Sequence, residues 1–221
     1  MIPVTMVVIA KAPVPGFAKT RLAAAVGDQA AADIAAAMLL DTLDAVKATP
    51  VQERVVALTG DLDHASRSAE IRSRLTALRV IEQRGDDFSA RLANAIVDAA
   101  TIAGRRPVLL IASDTPQVTA ELLTECAQSL LSTDVVFGLA RDGGWWVLGV
   151  TDPAMADCLH TIPTSRSYTG PTTLEALQRN GLAVTLVDEL SDVDTADDVE
   201  LVRPDCAPHS SFVRATRQGR I

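Results

Sequence analysis

Val4-Thr-Met-Val-Val-Ile-Ala10 is a mostly apolar run, and the loop Lys11-Ala-Pro-Val-Pro-Gly-Phe-Ala-Lys-Thr-Arg21 follows it directly. Because the run does not alternate like a half-exposed strand, it predicts a parallel strand that is buried on both faces. The loop carries two prolines, a glycine and three cations, and an Ala-rich helical pattern begins at Gly27. α/β proteins use this order of strand, stiff loop, cations and helix to hold phosphate-bearing ligands at the carboxyl edge of a sheet. A nucleotide is therefore the first ligand that the sequence predicts.

The rest of the chain alternates between strand and helix patterns. Further apolar runs predict strands at residues 54–59, 78–82, 108–112, 135–138, 145–150 and 184–187. Helical patterns cover residues 28–47, 66–77, 88–103, 119–131, 171–180 and 195–202. This alternation predicts an α/β fold with an open, mainly parallel sheet and helices on both faces. Residues 140–169 interrupt the rhythm, and we interpret them as an inserted segment on the acceptor side of the same domain.

Length and composition predict one α/β domain. The 221 residues are 48% hydrophobic but only 3% aromatic, which suits a core of Ala, Val and Leu. We expect a single domain over residues 1–203. A loose, flexible tail is expected over residues 204–221, where the chain is polar and basic without periodicity. The formal net charge of −8 argues against general nucleic-acid binding, which needs a basic surface.

Cysteine usage and hydropathy predict a cytoplasmic protein. Cys126, Cys158 and Cys206 are widely spaced without a Cys-x-x-Cys pair, which excludes a disulfide framework and a thiolate zinc site. Residues 1–10 lack the charged region and the length of a signal peptide. No run approaches the ~18 apolar residues that cross a bilayer, so we expect no membrane span. A homodimer is left open.

The cations of the first loop are candidates for phosphate binding. The loop is not a Walker A motif, because Ala18 precedes Lys19 and Gly16 lies three residues before the lysine. The dinucleotide fingerprint Gly-x-Gly-x-x-Gly is absent as well. Lys11, Lys19 and Arg21 remain, and lysine offers phosphate a point charge while arginine offers a planar fork. The alternative is a solvated surface loop whose cations are incidental.

Acidic residues at strand ends form a second candidate site. Asp114 ends the run Val108-Leu-Leu-Ile-Ala-Ser-Asp114, and ligands of open α/β sheets lie outside the carboxyl ends of strands. A carboxylate there suits a hard divalent cation that is shared with phosphate oxygens. Asp194 could complete such a site, whereas Asp197 and Asp198 are interpreted as first-turn acids of the last predicted helix. For Asp114 the alternative is a turn residue, because Asp-Thr-Pro favours a turn by itself.

The segment Arg141-Asp-Gly-Gly-Trp-Trp146 is a candidate for acceptor or sugar binding. Its paired glycines, Gly143 and Gly144, would let a ligand approach the backbone closely. Trp145 or Trp146 offers a flat apolar wall, and Asp142 offers a polar group. The alternative is a tight hairpin turn with tryptophans in the core.

Gly85 and Asp87 follow another strand end. One interpretation is that they contact a base or ribose, and the alternative is that they cap the next helix. The three histidines, His64, His160 and His209, are isolated and support no histidine catalysis. No Gly-x-Ser-x-Gly segment supports acyl hydrolysis.

Together these motifs resemble a known family. The chain is similar to the rSAM/selenodomain-associated transferase 1 family in Lys11-Ala-Pro-x-Pro-Gly-x-x-Lys-Thr-Arg-Leu22, Ser113-Asp-Thr-Pro116, Asp142-Gly-Gly-Trp145 and Asp192-Val-Asp-Thr-x-x-Asp198. That family is glycosyltransferase-like and has the GT-A fold of nucleotide-diphospho-sugar transferases. The Lys-Thr-Arg-Leu and Asp-x-Asp-Thr pieces are also similar to phospholactate and phosphoenolpyruvate guanylyltransferases.

The resemblance implies a nucleotide over the first loop and a Mg²⁺ or Mn²⁺ ion at the strand ends. The nucleotide-binding residues are then Lys11, Pro13, Gly16, Lys19, Thr20, Arg21, Gly85 and Asp87. The acceptor- or sugar-binding residues are Asp142, Gly143, Gly144 and Trp145. The metal ligands are Asp114 and Asp194. The catalytic residues are Lys19, Arg21, Asp114 and Asp142. The chain departs from a full Asp-x-Asp motif, since Ala-Ser precedes Asp114, so the metal site depends on Asp194.

The sequence thus predicts a metal-dependent transferase that uses a nucleotide-activated donor and a small-molecule acceptor. Glycosyl transfer from a nucleotide-sugar is preferred, because the Asp-Gly-Gly-Trp-Trp segment offers an aromatic wall for a sugar ring. One alternative is nucleotidyl transfer, which joins the NMP part of an NTP to a phosphorylated small molecule. Another is a nucleotide-binding partner protein without turnover.

Overall fold

Seven strands form one sheet in the computed structural model, which describes residues 1–104 and 106–217. The strands are β1 (Ile2–Lys11), β2 (Val51–Thr59), β3 (Arg79–Glu82), β4 (Val108–Ile111), β5 (Val135–Leu139), β6 (Trp145–Val150) and β7 (Val184–Leu186). Their order across the sheet is β3-β2-β1-β4-β6-β5-β7. Strand β6 runs antiparallel to its neighbours β4 and β5, and the other neighbouring strands pair in parallel.

Helices connect most of these strands. They are α1 (Thr20–Val26), α2 (Asp28–Ala48), α3 (Ser68–Leu75), α4 (Phe88–Ile102), α5 (Ala120–Ser129), α6 (Thr169–Arg179), α7 (Ala196–Val202) and α8 (Ser211–Arg217). A longer 3₁₀ segment, Pro153–Thr161, follows β6.

The sheet is covered on both faces, as the apolar run of β1 requires. Residues 4–10 are all buried, and alternate side chains enter opposite layers because successive residues of a strand point to opposite faces. Met6 and Val8 pack in the layer of α2, α3 and α5. Val7 and Ile9 pack in the layer of α4, α6 and the 3₁₀ segment.

This architecture confirms the predicted fold class. Each of the seven predicted strands is present, and the six predicted helices correspond to α2–α7. Helix α1 is a difference, because Thr20 and Arg21 were assigned to the loop. Both ends of α1 are set by left-handed or otherwise positive φ angles, 49° at Lys19 and 86° at Gly27, so α1 is separate from the longer α2. These backbone angles separate α1 from its neighbours, and the Ala-rich sequence gives little indication of them.

The C-terminal segment corrects the expectation of a loose tail. A 3₁₀ turn at Arg203–Asp205 and helix α8 continue the chain, and Phe212 and Val213 are buried beside Met38 of α2. The prediction is therefore wrong for residues 204–217. Its remaining part, residues 218–221, lies outside the described residues.

Asp41 of α2 anchors the start of α8. Its carboxylate accepts hydrogen bonds from the backbone N–H groups of Ser211 (2.7 Å) and Phe212 (2.8 Å). Burial raises the pKa of this carboxyl, and the two backbone donors act in the opposite direction. Since the first N–H groups of a helix have no partner inside the helix, a carboxylate from α2 supplies the missing acceptor.

Asp41→Ala is expected to release α8 and to lower the free energy of unfolding by about 2 kcal/mol, because hydrogen bonds to charged groups contribute about 1.5–3 kcal/mol. Urea denaturation measures the change. Asp44→Ala is the matched control on the same helix, since Asp44 contacts Arg74 through long bonds at 3.3 and 3.4 Å near the surface. Equal losses in the two variants would show that Asp41 does not anchor α8.

The strand order places a switch point between β1 and β4. The chain moves outward from β1 to β2 and β3, then returns to the other side of β1 with β4. Ligands of open α/β sheets bind in the crevice outside the carboxyl ends of strands at such a point. Among the helices that the structure describes, none combines the length and the apolar character of a membrane span.

Candidate active site

Four loops meet at the carboxyl edge of the sheet beside the switch point. Three of them follow β1, β4 and β7, and the fourth joins β5 to β6, whose antiparallel direction keeps that turn at the same edge. The backbone N–H of Val193 donates to the carbonyl oxygen of Asp114 (3.0 Å). The side-chain amide of Gln117 donates to the carbonyl of Ser191 (2.7 Å). The segment after β7 is therefore held against the turn after β4.

Lys19 lies at the centre of this edge. Its backbone is left-handed, with φ 49° and ψ 51°, and it precedes the first residue of α1. Its Nζ donates to Asp114 Oδ2 at 2.9 Å and to Asp194 Oδ1 at 2.5 Å, and the side chain is only 13% exposed. Burial disfavours the ammonium, but the two carboxylates outweigh burial and raise the pKa of Lys19 above its usual value. Arg21 approaches Asp194 at 3.6 Å from a position that is 70% exposed.

Three carboxylates converge around this ammonium. Oxygens of Asp114, Asp192 and Asp194 lie within 4.8 Å of one another. Burial raises the pKa of Asp192 to about 7, and the carboxylates of Asp114, Asp142 and Asp194 act in the same direction while Lys19 opposes them. The three carboxylates therefore share two cationic partners, Lys19 and the more exposed Arg21.

Asp192 was not among the predicted metal ligands. The signal that could have identified it is the spacing Asp192-Val193-Asp194, because residues two apart in an extended segment point to the same side. Val193 is fully buried, which turns the two acids toward the crevice. Asp198 holds this segment in place by accepting from the backbone N–H groups of Asp194 (3.0 Å) and Thr195 (2.7 Å). The interpretation of Asp198 as a first-turn acid agrees with its place in the capping box of α7.

The cluster suits a divalent cation. Carboxylate oxygens are the ligands that Mg²⁺ and Mn²⁺ prefer, and three are available here from two adjacent loops. A positive group, the ammonium of Lys19, lies within hydrogen-bond distance of two of the three acids. Asp114 and Asp194, the two predicted ligands, thus lie together with a third acid of the same kind.

Two cavities flank the cluster and share Asp114, Asp194 and Arg21 in their linings. The first, about 440 Å³, extends toward the β5–β6 turn and is lined by Asp142, Gly144, Trp145, Trp146, Arg166 and Asp192, among others. The second, about 520 Å³, extends along the first loop and is lined by Lys11, Phe17, Lys19, Thr20, Gln83 and Phe88, among others. A molecule in either cavity would border the acids, so two reactants can meet at them.

The Asp142–Gly144 turn forms a wall of the first cavity, but Gly143 itself has a packing role. A Cβ at Gly143 would overlap the carbonyl oxygen of Ser167, and its φ is +90°. Its own carbonyl accepts from the N–H of Gly170 (2.7 Å) at the start of α6. The glycine therefore allows close packing against the segment before α6, and its contact with a ligand stays a prediction.

Gly143→Ala is expected to lower the free energy of unfolding by about 3 kcal/mol, because backbone overlap adds to the cost of positive φ. The matched control is Gly181→Ala, where φ is +77° but no atom lies within 4 Å of the added methyl group. That control should cost about 1 kcal/mol. Chemical denaturation compares the two, and equal costs would contradict the packing role.

The two tryptophans differ in their surroundings. Trp146 is buried and donates from Nε1 to the carbonyl of Asp188 (2.9 Å), so it is a core residue. Trp145 is half-buried, and its ring centroid lies 6.0 Å from that of Phe137. Asp142 uses one carboxylate oxygen to accept from the N–H of Gly144 (2.6 Å).

Other predicted nucleotide-binding residues shape the first loop. The Nζ of Lys11 donates to the carbonyl of Phe17 (2.6 Å), which closes the loop on itself. Pro13 is buried, and its carbonyl accepts from the N–H of Ser66 (2.9 Å). Gly16 provides a positive φ of 78° within the loop. Neither Pro13 nor Gly16 lines the two cavities described above.

Gly85 and Asp87 build the start of α4. The Asp87 side chain accepts from the N–H of Ala90 (2.8 Å), which makes it the N-cap. A Cβ at Gly85 would press on Ala90 and the Arg91 backbone. Neither residue lines the two cavities, so the structure agrees with the capping alternative for Asp87.

A protein-family model matches residues 42–166, more than half of the chain, and is described as "Uncharacterized protein conserved in bacteria (DUF2064)". The chain belongs to the DUF2064 family. The matched region includes Asp114 and Asp142 but ends before Asp192 and Asp194, and it begins after Lys19. The DUF2064 match therefore covers one acid of the cluster, Asp114, whereas Lys19, Asp192 and Asp194 lie outside the matched residues.

Solved structures with the same fold include three informative ones. A protein from Desulfovibrio desulfuricans G20, provisionally named a nucleotide-diphospho-sugar transferase, is 26% identical with a TM-score of 0.84 over 99% of this chain and 95% of that one. CMP:2-keto-3-deoxy-manno-octonic acid synthetase, complexed with CTP, is 12% identical with a TM-score of 0.56 over 91% and 97%. Rv0371c from Mycobacterium tuberculosis H37Rv, in complex with manganese, is 19% identical with a TM-score of 0.54 over 90% and 97%. No curated protein matches the chain significantly.

Proposed function

We propose that this protein is a metal-dependent transferase that uses a nucleotide-activated donor, with glycosyl transfer from a nucleotide-sugar as the preferred reaction. The observation that carries the proposal is the convergence of Asp114, Asp192 and Asp194 on Lys19 between two cavities. The resemblance of its motifs to the rSAM/selenodomain-associated transferase 1 family supports the same proposal.

The charges of the cluster suit a diphosphate. Lys19 and Arg21 would bind phosphate oxygens, the first as a point charge and the second as a planar fork. Asp114, Asp192 and Asp194 would hold Mg²⁺ or Mn²⁺, which when bound supplies positive charge that neutralises phosphate oxygens. Lys19 would then change partners from carboxylate to phosphate without losing its hydrogen bonds.

The first cavity is the proposed acceptor and sugar side. In glycosyl transfer, an acceptor oxygen attacks the anomeric carbon and the nucleoside diphosphate leaves. Trp145 offers the half-buried apolar surface on which a sugar ring packs, and Asp142 offers a carboxylate that can orient a hydroxyl group. Since no histidine lines either cavity among the described residues, positioning and electrostatics would supply most of the rate.

Nucleotidyl transfer is the second candidate. Here a phosphate oxygen of the acceptor attacks the α-phosphorus of a nucleoside triphosphate, and pyrophosphate leaves. The observation in its favour is that a CTP-bound synthetase has the same fold along nearly its whole length. The same acids and cations would serve either reaction, because both build negative charge on phosphate oxygens.

A thermal-shift panel tests the proposal. Nucleoside triphosphates and nucleotide-sugars are compared with and without Mn²⁺, and a ligand at 100 times its dissociation constant should stabilise the protein by about 2.7 kcal/mol. The binding donor is then incubated with pooled sugars, sugar phosphates and other phosphorylated small molecules. Release of a nucleoside diphosphate supports glycosyl transfer, whereas release of pyrophosphate supports nucleotidyl transfer. No stabilisation by any nucleotide would overturn the proposal.

A further inference from the structure

The second cavity continues beyond the phosphate loop into a region with the features of a planar-ligand site. Phe17 and Phe88 line it and are 68% and 45% exposed. Two such rings beside one cavity offer faces on which a flat heterocycle can stack.

Gln83, just after β3, lies in this cavity with its side-chain amide fixed in one orientation. Its Nε2 donates to the carbonyl oxygens of Ala10 (2.7 Å) and Ala57 (2.8 Å), which uses both amide hydrogens. The flipped amide would place Oε1 against two carbonyl oxygens and is therefore excluded. The backbone N–H of Gln83 also donates to the carbonyl of Leu58 (3.2 Å).

The Oε1 atom of Gln83 is consequently a positioned acceptor. Within the described part of the chain, no group donates a hydrogen bond to this oxygen. The oxygen is also not one of the fully buried polar atoms without a partner, so it is accessible. An accessible acceptor that cannot rotate is matched by a ligand with an N–H group at that position. Gln83 bridges β1 and β2 at Ala10, the residue that precedes the first loop, and it lines the same cavity as Lys19.

We propose that Gln83 selects the nucleobase of the donor, with Oε1 accepting a hydrogen bond from an amino or ring N–H group on the edge of the base. Phe17 and Phe88 contact the face of the same base. The inference rests on the proposed function, because it assigns the end of the nucleotide that lies away from the phosphates.

A double-mutant cycle between protein and ligand tests this role. Isothermal titration with Mg²⁺ identifies the tightest binder among ATP, GTP, CTP and UTP. That nucleotide is then compared with the analogue that lacks the N–H group. The pairs are ATP with purine riboside triphosphate, GTP with ITP and 1-methyl-GTP, CTP with zebularine triphosphate, and UTP with 3-methyl-UTP. Each pair is measured on the unmodified chain and on Gln83→Met.

The expected result is a loss of about tenfold in affinity for an analogue on the unmodified chain, as one hydrogen bond contributes about 1.4 kcal/mol. On Gln83→Met the same pair should bind equally. Because Gln83 also bridges two strands, tripolyphosphate with Mg²⁺ serves as the control and should bind both proteins alike. The analogue comparison on the unmodified chain needs no variant, so a failure of Gln83→Met to fold leaves the test intact.

Two results overturn the inference, and they differ in reach. If a nucleotide binds but none of its analogues loses affinity, or if the loss is the same in Gln83→Met, the role of Gln83 is wrong and the proposed function stands. If none of the four triphosphates binds, the role of Gln83 is wrong, and the proposed function fails with it only when the nucleotide-sugars of the thermal-shift panel do not bind either.

Discussion

Asp114→Asn is expected to abolish the stabilisation of the protein by Mn²⁺ and to lower turnover by about a hundredfold or more. The amide keeps the shape of the side chain but removes one of the three negative charges that lie within 4.8 Å of one another. Asp192 and Asp194 come from one loop, so only Asp114 contributes a carboxylate from the other side of the cluster. Thermal shift against Mn²⁺ concentration measures the effect before the acceptor is known.

Asp197→Asn is the matched control for this variant. Asp197 is exposed in the first turn of α7, three residues after Asp194. Its substitution by Asn removes the same negative charge as Asp114→Asn. Its response to Mn²⁺ should equal that of the unmodified chain. A normal Mn²⁺ shift in Asp114→Asn would mean that Asp114 is only a turn residue, which is the alternative that its Asp-Thr-Pro sequence leaves open.

Lys19→Met is expected to weaken nucleotide binding and to increase the stabilisation of the protein by Mn²⁺. Nucleotide affinity should fall by about tenfold, because a charged hydrogen-bond donor to phosphate is lost. Mn²⁺ should stabilise the variant more than the unmodified chain, since the ion no longer competes with an ammonium that bridges Asp114 and Asp194. Without metal the variant should be about 2 kcal/mol less stable, as the partly exposed acids lose their partner.

Lys11→Met provides the comparison on the same loop. Lys11 is exposed, and its Nζ donates to the carbonyl of Phe17 at a distance from the acids. The Mn²⁺ response of this variant should not change. A smaller Mn²⁺ shift in Lys19→Met than in the unmodified chain would show that the lysine and the ion do not share one place.

The parts of the fold that the sequence predicts are those governed by burial. The apolar run of residues 4–10 predicts a strand buried on both faces because each of its side chains has to leave water, and β1 has this burial. The carboxyl ends of such strands are predicted equally well, and Asp114 lies just after β4 as its sequence predicts. Long helices with a clear N-cap residue are also predicted from the sequence, as α4 is after Asp87.

The remaining features depend on contacts between distant segments. The carboxylate of Asp41 caps helix α8 from α2, and no local pattern encodes that contact. Asp192 joins the cluster because the Val193 backbone bonds to the turn after β4. Gly143 has a positive φ and lies close to Ser167, a residue of the segment before α6.

Binding of Mn²⁺ in the presence of a nucleotide tests the central claim most directly. Electron paramagnetic resonance counts the free ion during a titration of the unmodified chain, Asp114→Asn and Asp197→Asn with the nucleotide that the thermal-shift panel identifies. We expect a tightly bound ion in the unmodified chain and in Asp197→Asn, and its loss in Asp114→Asn. Equal Mn²⁺ binding by all three proteins, or by none of them, would contradict a metal–nucleotide site at this edge of the sheet.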